Sequence, residues 1–252
     1  MRVIIFNALK ERMRRKELYI ISAIGDLLIL LCSSDTTSLT IDGEPVTGFE
    51  NMFMVLHVLV NAIGAILAVV LSIRTIPNEY ERRNSHLVWV RGISQPVYHG
   101  GLTIANMLAA IMAVGILYIV LAVYTVINGH AGYLPKLFPA FLMVAVSVSI
   151  VSSFVSVLSI KLPGMVVGTI GALFAFVGIF HGLFDLFKSV LGGLGGKCIA
   201  ALLWIAPDLN GIQKQAYNFV VGKDVEGHLI WVGLLTIWII SLGLFLFKKK
   251  EA

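Results

Sequence analysis

Five stretches of this chain, Met52 to Ile73, Leu102 to Ile127, Leu137 to Ile160, Val166 to Phe187 and Leu229 to Phe247, run on with almost no formal charge. A helix rises 1.5 Å per residue, so about 20 apolar residues cover a hydrocarbon core roughly 30 Å thick. Within such a core no water satisfies the backbone, and a segment of this length and composition is stable there only as a helix or in a closed barrel. A sixth run, Leu18 to Ser34, has a shorter purely apolar part and is interrupted by Asp26; Tyr19 and the preceding Arg and Lys residues anchor it by snorkelling. Hydrophobic residues make up 58% of the 252 and charged residues 13%, well beyond the balance of a soluble domain. The sequence predicts an all-α membrane protein of one domain spanning 1–252, with transmembrane helices at about 18–34, 52–73, 102–127, 137–160, 166–187 and 229–247. No segment between them is long enough to bury a core of its own.

The placement of Lys and Arg sets the orientation, because short cytoplasmic loops carry the positive excess. With the N-terminus inside, only Lys136, Lys188, Lys197, Lys214 and Lys223 fall outside, and the first outer loop is purely acidic. Both termini are therefore expected in the cytoplasm, and the net charge of +5 reflects topology rather than nucleic-acid binding. The start of the chain carries Ile5, Phe6, Leu9 and Met13 at helical spacing among basic residues, which predicts an interfacial helix over 3–16. No small-residue cleavage pattern follows the first apolar run, so no cleavable signal peptide is predicted.

The long outer stretch 188–228 holds one more apolar run, "CIAALLWIAP", too short to span and closed by Pro207, which suits a re-entrant or surface-lying helix. The run "LGGLGGKC" lacks the first glycine and the hydroxyl residue of a phosphate-cradling loop, so Gly192 to Gly196 read as a flexible turn and the chain has no ATPase site of its own. Cys32 and Cys198 carry no framework spacing, and free thiols are expected.

Between the second and third spans lies "NEYERRNSHLVWVRGIS", residues 78–94. Pro77 suits a first helical turn and Gly92 an end, predicting a helix over about 77–92. At about 100° per residue, Ile76, Tyr80, Leu87 and Val90 share one stripe, opposite Asn78, Glu81, Arg82 and Ser85. Arg83 lands near the apolar stripe, and Val88 and Trp89 lie towards the polar side. Trp beside Arg is the composition of a partner-docking surface, and it equally suits a helix at the headgroups; spacing leaves both open.

Ionisable groups inside a span are costly and usually functional. Asp26, His57, Asn61, His181 and Asp185 are the candidates for a translocation path. His57 with Asn61, and His181 with Asp185, stand four apart and share a helix face; mutual satisfaction near headgroup depth is the simpler account of the second pair. The serines from Ser147 to Ser159 in the fourth span and the glycines from Gly164 to Gly182 in the fifth recur at three- and four-residue spacing, as close helix packing requires, with a polar cavity wall as the alternative.

The run "EYERRNSHLVWVRGIS" resembles the cytoplasmic loop of type-two ATP-binding-cassette exporter permeases, in which an acidic–aromatic–acidic segment precedes a Leu-rich turn and a Pro-Ile-Ser-Arg-like close. Glu79, Tyr80, Glu81, Leu87, Arg91, Ile93 and Ser94 match that pattern, while Arg83 stands for the usual Gly, Asn84 for Thr, Gly92 for Pro and Gln95 for Arg. The basic start, six spans, long fifth outer loop and inward termini extend the resemblance over the chain. It implies a plasma-membrane permease that pairs with a second permease copy or a related permease, and that binds a separate ATPase subunit carrying ATP and Mg. It also implies that the loop is a coupling helix, with Glu79, Tyr80, Glu81, Arg82, Arg83, Leu87, Trp89 and Arg91 at the ATPase interface. Small permeases of this kind resemble peptide-antibiotic immunity and export systems, so the expected cargo is an amphipathic peptide or lipid-like molecule. An intramembrane protease of the glutamate type and a non-transporting sensor or scaffold are the alternatives; against the protease, Glu79 and Glu81 sit in a loop far from His57 and His181.

Overall fold

The apolar runs are helices in the computed structural model, which describes residues 1–14, 16–32, 40–41, 44–45, 48–81, 90 and 92–246. Helix α1 (Arg2–Met13) precedes α2 (Lys16–Cys32), and a two-residue antiparallel hairpin, β1 (Thr40–Ile41) with β2 (Glu44–Pro45), leads to α3 (Phe49–Ile73) and the short α4 (Thr75–Glu81). There follow α5 (Gln95–Ile127), α6 (Leu134–Leu158), α7 (Gly164–Ile179), α8 (His181–Leu191), α9 (Gly193–Ile205), α10 (Leu209–Val221) and α11 (Gly227–Leu246).

Among the described residues, four helical stretches are long and apolar enough to cross a bilayer: α3 with α4, α5, α6 with the 3-10 turn before it, and α11. The pair α7–α8 makes a fifth if counted as one span, and α2, at 17 residues, is a shorter apolar helix. The continuous helix expected at 166–187 is thus broken: α7 ends at Ile179 and α8 leaves at 82°. The polar residues His181, Asp185, Lys188 and Ser189 crowd into α8. A straight continuation would hold that charge in the hydrocarbon, whereas the bend lets α8 lie along the layer with both environments in reach. A second difference lies at the glycine run. Only Gly192 and Gly193, at φ +52° and +49°, reverse the chain, and the glycines after them belong to α9 rather than to a flexible turn.

The core is built by α3, α5 and α6. Phe53, Leu56, Val60 and Leu67 of α3, Leu117 and Leu121 of α5, and Val144, Val148 and Val151 of α6 are all solvent-inaccessible. By contrast α11 buries only Gly233 and Leu244, and its Trp231 and Trp238 face outward. A helix apolar all round with so little buried is one that meets lipid. The end of the bundle against which α1 lies is termed proximal, and the opposite end distal.

Helix α10 gives the distal half its form. Its first residue, Leu209, offers its carbonyl to the Asn61 amide at 3.4 Å, and the same Asn61 accepts from Ser147 at 3.0 Å. Asn61 lies 12 residues into α3, about 18 Å along its axis, and Ser147 is near the middle of α6. At its other end, the chain at Gly222 stands beside Lys136, near the distal start of α6. Helix α10 therefore rises from mid-bundle to the distal end with Ile212, Ala216 and Val220 buried along it. Gly178 makes room for its root: a Cβ there would stand 2.7 Å from Leu209 Cγ and 3.0 Å from the Pro207 carbonyl. Helix α10 thus enters the bundle only halfway, whereas most of the "CIAALLWIAP" run belongs to α9, in which only Gly196 is buried.

Candidate functional site

Polar side chains gather at the proximal end, where α1, α4 and the bases of α5 and α6 meet. Apolar residues alone do not define the buried face of α1. Ile5 and Leu9 are half-buried, Phe6 is exposed, and Ala8 and Arg12 are the residues fully covered. Arg12 is 1% exposed. Burying a guanidinium is costly unless it is hydrogen-bonded, and its Nε donates to Asn106 Oδ1 at 3.0 Å. The Thr75 hydroxyl reaches the same oxygen at 2.9 Å and the Leu71 carbonyl at 3.0 Å, sharing one proton between them. The Asn106 amide then donates to Ser156 of α6 at 3.1 Å. A single side chain on α5 thus ties α1, α4 and α6 together, and the Ser72–Ser152 pair at 3.0 Å extends the seam between α3 and α6.

The second part of the seam holds α4 against the start of α5. Tyr98 donates to Glu79 Oε2 at 2.5 Å, and the Tyr80 hydroxyl meets His99 Nε2 at 2.9 Å. The phenol–carboxylate contact is short, as a charge-assisted bond is. Glu79 is turned inward onto Tyr98 and buried, Tyr80 is partly buried against His99, and Glu81 is exposed. The expected coupling-helix residues Arg82, Arg83, Leu87, Trp89 and Arg91 lie outside the described residues. Pro77 is the third residue of α4 and lies in its first turn, and the helix starts two residues before the expected 77 because the chain leaves α3 at Arg74 and turns at once into helix.

The candidates for a translocation path are spread through the rest of the molecule. His57 is fully buried among Phe53, Tyr118 and Tyr217, with its Nδ1 at 3.3 Å from the Phe53 carbonyl. Its Nε2 and the Tyr118 hydroxyl have no hydrogen-bond partner among the described residues. Asn61, one turn away, is taken up by Ser147 and Leu209 and so holds α10 in place. Asp26 sits on α2 with one carboxylate oxygen buried and without a hydrogen-bond partner among the described residues. Asp185 accepts from Lys188 at 2.9 Å on the exposed side of α8, and His181, one turn earlier on the same helix, lines a cavity at the α7–α8 bend. The five path candidates thus sit on three helices, Asp26 on α2, His57 and Asn61 on α3, and His181 and Asp185 on α8.

Arg12, Tyr98, His99 and Asn106 escaped the sequence reading. Asn106 was visible as a lone amide within an apolar run, and the serine stripe of α6 pointed at it. Ser147 and Ser156 bond other helices, and Ser152 meets Ser72, so part of the stripe is a hydrogen-bonding face as well as a packing one. Neither a protein-family model nor a curated protein matches the chain.

Proposed function

We propose that this chain is the membrane-spanning permease subunit of an ATP-driven exporter, with six membrane segments, its proximal end and both termini in the cytoplasm, and a separate ATPase docked on the loop after α4. A second permease copy, or a related permease, completes the transporter, and the cargo is an amphipathic molecule taken from or released to the plasma membrane. The loop residues quoted above carry the resemblance, and the concentration of Arg and Lys at the proximal end supports the orientation.

The observation that supports it best is the seam. Force applied to the loop meets a helix, α4, that is bonded through Thr75, Glu79 and Tyr80 to α5, and through Asn106 to α1 and α6. Coupling needs an element whose two arrangements differ in energy at both sites. A short helix bonded on its inner face and exposed on its outer face at Glu81 is suited to that role. In this reading Glu79 and Tyr80 transmit force within the permease, and Glu81, Arg82, Trp89 and Arg91 meet the ATPase.

The test is reconstitution of the permease with the ATPase that co-purifies with it. Glu81→Ala combined with Trp89→Ala is expected to lower permease-stimulated ATP hydrolysis while leaving insertion and yield intact. Unchanged stimulation in that double variant, or the absence of any ATPase in the purified complex, would overturn the proposal.

A further inference from the structure

A cavity of about 300 Å³ opens at the root of the re-entrant segment, walled by the α7–α8 bend, the end of α9, the start of α10 and the distal half of α11. That volume is at the lower bound of ligand sites, enough for a head group and the first part of a chain. Its walls are mainly apolar, Trp204, Ile212 and Val232 among them, with His181, Asp208 and Thr236 as the polar groups. Two features say what it would hold. Asp208 is the one formal charge on its wall: its Oδ1 caps α10 by accepting from Gly211 N at 2.7 Å, and no Lys or Arg among the described residues pairs with it. The apolar side is continuous with the outward surface of α11, where Val232 and Leu235 are exposed, and Trp204 is 89% exposed at its edge.

A carboxylate that no Lys or Arg among the described residues neutralises, in a mainly apolar wall, favours a cation more strongly than the same carboxylate in water, with the N-terminus of α10 offsetting part of its charge. Trp204 at the cavity edge is an aromatic group that could add to that preference. We propose that this cavity binds a cationic amphiphile from the distal leaflet, its ammonium or guanidinium head at Asp208 and Trp204 and its apolar chain along α11. As a substrate class for the exporter this rests on the reading above, whereas the binding itself needs only this chain.

The probe is dodecylammonium carrying a photoreactive diazirine on its chain, applied to the full-length protein in phosphatidylcholine nanodiscs, with labelled peptides mapped by mass spectrometry. Labelling is expected within residues 203–212 and 229–236, displaced by unlabelled dodecylammonium and not by dodecyl sulfate. Asp208→Asn keeps a good helix cap and removes the charge; it is expected to weaken binding about tenfold. Thr236→Trp, which fills the cavity without touching the cap, is expected to abolish labelling. Equal displacement by the sulfate, or wild-type labelling in both variants, would overturn the site. Binding that persists while dodecylammonium fails to stimulate the ATPase of the reconstituted complex would overturn the substrate assignment alone.

Discussion

Asn106 uses both ends of its amide: the oxygen takes Arg12 and Thr75, and the nitrogen gives to Ser156. Asn106→Leu leaves a buried guanidinium and a buried hydroxyl without that acceptor, and the expected loss is about 2–3 kcal/mol, read as a lower unfolding midpoint in a denaturant titration in mixed micelles. Ser156→Ala removes one neutral bond and is expected to cost about 1 kcal/mol. Tyr98→Phe deprives the Glu79 carboxylate of its short bond; a loss of about 1.5–3 kcal/mol is expected, together with weaker coupling of ATP hydrolysis to transport. Glu79→Gln, which still accepts from Tyr98, is expected to be milder on both measures. At this scale the sequence was legible in part. Asn106 stands out in its apolar surroundings, but its partner Arg12 is 94 positions earlier, and helical periodicity reports faces rather than partners. Glu79 was placed on the docking side because a carboxylate in a charged loop belongs in water by default; the phenol that draws it inward follows only from how α5 begins.

Apolar length located the four long helical stretches that contain α3, α5, α6 and α11, because crossing a bilayer demands it. The break in the fifth run was missed for the same reason: a window that averages hydropathy cannot separate a span from an apolar helix followed by an amphipathic one. The root of α10 shows the opposite case. Asp208 before Leu209 is a recognisable helix start, yet the depth of that start depends on Gly178, Asn61 and Ser147, each on a different helix. Gly178→Leu is expected to push Leu209 out of its seat. In a background lacking both native cysteines, a Leu209→Cys probe, shielded in the wild-type fold, should then react several-fold faster with a maleimide. Equal rates would mean that α10 is held by other contacts.

The distribution of charge over the whole molecule predicts its placement in a cell. In the same cysteine-free background, Lys136→Cys and Lys223→Cys at the distal end are expected to react with an impermeant maleimide in intact cells, and Arg2→Cys only after permeabilisation. The reverse pattern would invert the protein and remove the loop after α4 from any cytoplasmic ATPase. The halfway insertion of α10 has a mechanical consequence. Its root is tied to α3 by one long amide–carbonyl bond, which contributes about 1 kcal/mol, and the rest of the helix is seated by the apolar packing of Ile212, Ala216 and Val220. The proximal bases of α5 and α6 are locked by a bonded network that includes a buried cation. The two ends of the molecule are therefore held by different forces, directional polar bonds at the proximal end and mainly apolar packing around α10. Apolar packing is non-directional, so a rigid tilt of α10 would break fewer polar bonds than a movement of α1 or α4.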